Sequence, residues 1–282
     1  YRDCDGKSKL SRRGMVRKKY NLDKIDGTVD TVVIGGGMSG LSCAAILART
    51  GQKVVVLENH DDVAGGGTHE FDVQGYCFDA GLHYTVPCSV PIFALTCLKP
   101  EKEVCPFDLM GDETGTIDKI YLHKASKTIT TDPLAEPFLM KNYEKHIEQL
   151  YTDFPDEHAA LDKYMDLSAK SMMFVQIYCF ARLLPQWMQR IYWWLVPKCY
   201  IDVAAETAEE LLPKLTSNKR LISLLSSMWI DTGARPDKAS FMMTASVFRG
   251  IAMEGGCYPR HGTEEMAIEL CNTIENYDSH VF

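Results

Sequence analysis

Three glycines, Gly35, Gly37 and Gly40, stand in the spacing G-x-G-x-x-G, and an acid, Glu58, follows. Each glycine has its own reason to lack a side chain: Gly35 allows a tight turn, Gly37 lets a pyrophosphate approach the backbone, and Gly40 lets a helix pack closely on a strand. An acid about twenty residues beyond such glycines can accept a hydrogen bond from a ribose hydroxyl. Met38 and Ser39 occupy the positions where a helix would begin and aim free N–H groups at phosphates. A second cluster, Gly65, Gly66 and Gly67, and a turn running from Asp79 through Gly81 to His83 and Tyr84 complete the set. Of its titratable members, His83 and Tyr84 are the candidates to deliver a proton.

These residues need particular elements to hold them. Thr31 to Ile34 and Lys53 to Leu57 read as strands, and the small residues Cys43, Ala44, Ala45 and Ala48 read as the packed face of the helix between them. That is a strand, turn, helix, strand unit, and it selects dinucleotide binding over a mere glycine-rich turn. The second glycine cluster points to FAD. A nicotinamide domain has no use for it just past the ribose acid, whereas extended FAD needs a second backbone stretch close by. NAD or NADP remains the alternative, as bound cofactor or as electron donor.

On these motifs the chain resembles the FAD-dependent amine oxidase, phytoene desaturase and carotenoid isomerase superfamily, and within it the retinol saturase branch. The likeness rests on Val33 to Leu41, Val56-Leu57-Glu58, Ala64-Gly65-Gly66, Phe78 to Tyr84, and Gly255-Gly256-Cys257-Tyr258-Pro259-Arg260. It implies an α/β fold: a Rossmann-like FAD-binding domain, discontinuous, with an inserted, mostly helical substrate or lid region. The implied activity is reduction of a C=C bond of a retinoid, the 13,14 bond of all-trans-retinol, at the endoplasmic reticulum membrane. An isomerase or desaturase acting on another polyene is the alternative, and a truncated chain without activity of its own is a third reading. By the same likeness Tyr258, Arg260 and His261 join the site candidates. Two departures stand out: six residues separate Glu58 from Gly65 where five are usual, and His261 replaces a glycine. A side chain there is expected to strain the loop if the position needs positive φ.

The domain reading is a basic segment at 1–29, the nucleotide unit at 30–90, and a mainly helical region at 91–282. The chain begins without methionine and ends in what reads as a strand, so the closing part of the nucleotide domain is expected beyond Phe282, and this piece alone is expected to be inactive. Net charge is −8, and residues 1 to 20 carry eight basic against two acidic side chains. The acidic balance and the lack of a basic stripe exclude nucleic acid as a partner. The ten cysteines form no C-x-x-C pair, which argues against a metal site and for free thiols, with Cys43 and Cys77 buried. Beyond residue 90 a hairpin is expected at 118–122 and 127–131, then helices at 138–151, 157–173, 207–215, 218–230, 239–253 and 263–277, with Thr263 capping the last. Residues 171–199 are apolar and aromatic but interrupted by Arg182, Pro185, Gln186, Gln189 and Arg190. They cannot span a bilayer. They suit either peripheral membrane contact, with Trp187, Tyr192, Trp193 and Trp194 at headgroup level, or packing within the helical layer.

Overall fold

A computed structural model of the chain describes residues 25–60, 64–74, 76–86, 107–122, 137–141 and 144–282. They fall into two units, one of residues up to Leu109 together with Cys257–Phe282, the other Met110–Gly256.

The first unit opens with strand β1 (Thr31–Ile34), helix α1 (Met38–Arg49) and strand β2 (Val54–Leu57), followed by β3 (Glu70–Val73), β4 (Tyr76–Asp79) and β5 (Phe107–Leu109). The second unit holds β6 (Thr116–Ile120), β7 (Phe138–Lys141), α2 (Glu144–Asp153), α3 (His158–Leu183), α4 (Gln186–Leu195), α5 (Lys198–Ala205), α6 (Ala208–Leu215), α7 (Lys219–Leu225), α8 (Trp229–Thr232) and α9 (Phe241–Glu254). The chain then returns to the first unit as β8 (Cys257–Pro259), α10 (Glu264–Glu275) and β9 (His280–Val281).

β1 and β2 pair in parallel, Thr31 opposite Val54 through to Ile34 opposite Leu57, and β9 adds to the far side of β2 with Val281 opposite Val56. The β-branched runs suit a pleated, half-buried sheet. Apolar residues on α1 (Leu41, Ala44, Ala45, Ala48) and the apolar face of α10 (Ala267, Leu270, Cys271, Ile274) close over Val54, Val56 and Val281 to make one core. The nucleotide unit is therefore closed in part by residues 257–282, which the sequence reading grouped with the helical region. Its hydrophobic periodicity identifies a helix but carries no record of which unit that helix joins.

In the second unit the long helix α3 packs against α9, where the buried Tyr164 ring meets Phe241 and Phe248 edge-on at centroid distances of 5.8 and 5.2 Å. Thr207 and Glu210 form a capping box at the start of α6, the Glu210 N–H donating to Thr207 Oγ1 at 3.2 Å and the Thr207 N–H to Glu210 Oε2 at 2.9 Å. Two expectations are corrected. Residues 138–141 form strand β7, not a helix start: Phe138 and Met140 are buried while Leu139 and Lys141 are half-buried, a period of two imposed by pairing with β6. The expected hairpin partner at 127–131 lies outside the described residues. The helix expected over 218–230 breaks after Leu225 and resumes at Trp229.

Cys43 is exposed, Cys77 is disulfide-bonded, and Cys257 and Cys271 are the buried free thiols. The free-thiol expectation thus fails at Cys77, and the burial expectation at Cys43. Cys4, Cys88, Cys97 and Cys105 lie outside the described residues, as does the basic segment up to Lys24. Among the described residues no group of three or more His, Cys, Asp or Glu could hold a metal ion, and no helix is long and apolar enough to cross a membrane.

Candidate functional site: a glycine-lined cradle at the start of α1

β1 ends at Gly35, whose φ of +103° turns the chain sharply into α1. Few side-chain-bearing residues adopt that value, which is why glycine stands here. At Gly40 the reason is contact: a Cβ would lie 2.0 Å from the Gly35 carbonyl oxygen and 3.5 Å from Val33. Gly37 differs again, since a Cβ there would meet nothing nearer than the Gly66 Cα at 4.0 Å. Its face is open, and it caps α1 without any side-chain hydrogen bond, so the N–H groups of Met38, Ser39 and Gly40 point out of the first turn with no intrahelical acceptor. The helix begins at Met38.

Glu58 continues from the end of β2 and is held in position. Its Oε2 accepts the Gly36 N–H at 2.6 Å and its Oε1 accepts the His60 N–H at 2.8 Å. Each carboxylate oxygen keeps a further acceptor site, so a hydroxyl can still be bound.

The second glycine cluster folds directly against the first. The Gly65 N–H donates to the Gly36 carbonyl at 2.7 Å, Gly37 and Gly65 form a parallel bridge, and a Cβ on Gly66 would sit 3.1 Å from the Gly37 Cα. Gly65 and Gly66 have φ of +130° and +58°, and Gly67 has open space where a side chain would be. The two glycine clusters are thus in contact. Next in the stack comes the Asp79 turn: the Leu82 N–H donates to the Gly67 carbonyl at 2.8 Å, and a Cβ on Gly81 would lie 3.0 Å from the same oxygen.

The 257–263 segment secures that turn. Tyr258 donates its hydroxyl to the Asp79 carboxylate, 2.8 Å from either oxygen, and Thr263 Oγ1 lies 2.9 Å from Asp79 Oδ1 and 3.0 Å from the Thr68 carbonyl oxygen. The Thr263 side chain therefore does not cap α10 as its position suggests; its hydroxyl bridges the end of β4 and the turn at Thr68 instead. Arg260 pairs with Asp108 across β5 and β8, at 2.8 Å. His261 is exposed and does not take positive φ, because Gly262 beside it does, at +99°. The strain expected at His261 is absent for that reason.

Of the residues singled out from sequence, Gly35, Gly37, Met38, Ser39, Gly40, Glu58, Gly65, Gly66 and Gly67 converge on one cradle. His83 is exposed and Tyr84 half-buried, between two anchored backbone points, the Leu82 N–H on Gly67 and the Thr85 to Cys257 bridge. Tyr258 and Thr263 act here by positioning Asp79. The sequence reading offered Tyr258 as a site candidate and Thr263 as a cap; no local pattern reports contacts across more than 170 residues.

Residues 33–95 match the NAD(P)-binding Rossmann-like domain. Over 276 residues the chain is 29% identical to all-trans-retinol 13,14-reductase of Danio rerio, covering 95% of this chain and 42% of that protein. The Homo sapiens protein of the same name is 26% identical over 291 residues, with 95% and 43% covered. The chain is similar to the all-trans-retinol 13,14-reductases over nearly its whole length. It spans less than half the length of those relatives. A further Danio rerio relative, 26% identical over 274 residues, covering 95% of this chain and 43% of its own length, is named inactive all-trans-retinol 13,14-reductase. Among solved structures, cyclohexylamine oxidase from Brevibacterium oxydans IH-35A superposes with a TM-score of 0.59 at 15% identity, over 90% of this chain and 51% of that one. The chain thus shares an α/β fold with that oxidase.

Proposed function

We propose that the protein carrying this chain is an FAD-dependent oxidoreductase that saturates a C=C bond of a retinoid, the 13,14 bond of all-trans-retinol, at the endoplasmic reticulum membrane. The observation that supports it most is the docking of Gly65 and Gly66 onto Gly36 and Gly37, which makes two backbone stretches line one cradle. FAD fits these residues: the open face of Gly37 and the free first-turn N–H groups of α1 suit a pyrophosphate, and Glu58 has acceptor capacity for a ribose hydroxyl. When bound, reduced flavin supplies the hydride for an unactivated double bond.

The chain's own part is binding and positioning. Met38, Ser39 and Gly40 offer N–H donors; Gly35, Gly37, Gly65, Gly66 and Gly67 keep side chains out of the cradle. Asp79, held by Tyr258 and Thr263, fixes the turn before His83 and Tyr84, and we assign to one of these two the proton that completes saturation. A polyene isomerase or desaturase would use the same cradle.

The experiment uses the full-length protein. Visible absorption of the purified protein is expected to show bound flavin, and Gly37→Val is expected to abolish it while circular dichroism stays unchanged. Full-length protein that binds no flavin overturns the reading. Product analysis with all-trans-retinol against a poly-cis carotenoid separates reductase from isomerase, and unchanged turnover and pH dependence in His83→Ala removes His83 from the proton step.

A further inference from the structure

The end of α3 and the whole of α4 carry a surface that the nucleotide cradle does not use. α3 stops at Leu183, Pro185 breaks the chain, and α4 folds back so that its two faces differ sharply. The inner face is engaged: Tyr192 packs on Phe180 at a ring distance of 5.5 Å and bonds the Ile177 carbonyl, Trp193 lies 5.9 Å from Phe174, and Gln189 donates to the Leu184 carbonyl. The outer face is bare. Trp187, Ile191, Trp194 and Leu195, at helical spacings of four, three and one, are 68%, 55%, 83% and 65% exposed, and Leu183 beside them is 80% exposed. A soluble surface normally scatters such residues singly.

Charge narrows what could cover this face. From Ser171 to Tyr200 there is no Asp or Glu, in a chain of net charge −8, while Arg182, Arg190 and Lys198 are present and exposed. Among the described residues neither Arg182 nor Arg190 has an ion-pair partner. A second copy of the chain fits poorly, since a two-fold contact would bring these cations against themselves. An apolar helical face with aromatic ends and an arginine rim matches the interface of a bilayer, where such a helix sinks about 5–10 Å and cations meet phosphates.

We infer that α4 with the last turn of α3 is a monotopic lipid-binding element, inserting Leu183, Trp187, Ile191, Trp194 and Leu195 into an anionic leaflet. The inference goes beyond the flavin reading and does not depend on it, because its readout is lipid binding and not chemistry. It corrects the sequence reading in one respect: Tyr192 and Trp193 belong to the packed face, so Trp187 and Trp194 are the headgroup-level aromatics.

The test is flotation of the full chain with phosphatidylcholine vesicles containing phosphatidylserine. Trp187→Asp with Trp194→Asp is expected to lower the vesicle-bound fraction about tenfold or more. Ile230→Asp, which changes an equally exposed apolar residue on α8, is expected to change nothing. Arg182→Glu with Arg190→Glu is expected to weaken binding to the anionic vesicles and spare what little binding pure phosphatidylcholine gives. The tryptophan substitutions replace exposed side chains, and circular dichroism confirms folding. Equal flotation of the tryptophan variant and wild type overturns the inference, as does a wild type that ignores vesicles but forms dimers that the variant splits, which would make the face a protein interface.

Discussion

The two units are shaped by opposite means. In the first, geometry is set where side chains are missing: Gly40 against the Gly35 carbonyl, Gly66 against the Gly37 Cα, Gly81 against Gly67. In the second, Gly115 and Gly233 sit in turns with open space around them, and geometry is set by large side chains, with Tyr164, Phe241, Phe248 and His146 interlocked between α3, α9, β7 and α2. Backbone approaching backbone leaves a cradle for a ligand that is itself mostly phosphate and ring. Packed aromatics leave a scaffold.

The contrast is broken most severely at Gly40. A Cβ there would lie 2.0 Å from a carbonyl oxygen and 3.2 Å from its carbon, backbone atoms that cannot rotate away. Gly40→Ala is expected to force α1 off β1 and cost about 3 kcal/mol. Gly115→Ala, with φ +80° but no neighbour within 4 Å, is expected to cost only about 1 kcal/mol. Chemical denaturation measures both. Equal losses would mean that close backbone contact is not what organises the first unit.

His146 tests the second unit by pH. It is 2% exposed, with Phe138 and Phe248 at 5.6 and 5.2 Å, and burial pushes its pKa down from 6.5 to about 4. The folded chain therefore takes up this proton later than the unfolded chain as pH falls. Its contribution is complete above pH 6.5 and is lost as pH drops from 6.5 toward 4, up to about 3 kcal/mol. Denaturation midpoints across that range should show the slope, and His146→Phe should flatten it. A slope unchanged in the variant would mean other groups titrate there.

What the sequence makes legible follows the same division. The cradle residues are readable because glycine spacing encodes local backbone geometry, and Glu58 because it closes a short strand. Residues 138–141 are misread because Phe-Leu-Met-Lys has ordinary helix propensity, and only the non-local pairing with β6 makes it a strand. Likewise Thr263 looks like a cap, and its bond to Asp79, 184 residues away, leaves no trace in local pattern. Half of the site's support is therefore visible only after folding, since residues 257–282 reach it through tertiary contacts.

One substitution made twice sharpens the comparison at the smallest scale. Tyr258 donates to the Asp79 carboxylate at 2.8 Å, a charge-assisted bond, so Tyr258→Phe should cost about 2 kcal/mol and loosen the turn before His83. Tyr164, on α3 against α9, is fully buried, and its hydroxyl has no hydrogen-bond partner among the described residues. Removing that hydroxyl also removes the cost of keeping it from water, so Tyr164→Phe should leave stability unchanged or raise it by up to about 1 kcal/mol. The same chemical change thus costs stability in the first unit and none in the second, because one phenol pins a backbone turn and the other only fills space. A loss above about 1 kcal/mol for Tyr164→Phe would show that its hydroxyl is bonded in solution. The second unit would then share the polar pinning that distinguishes the first.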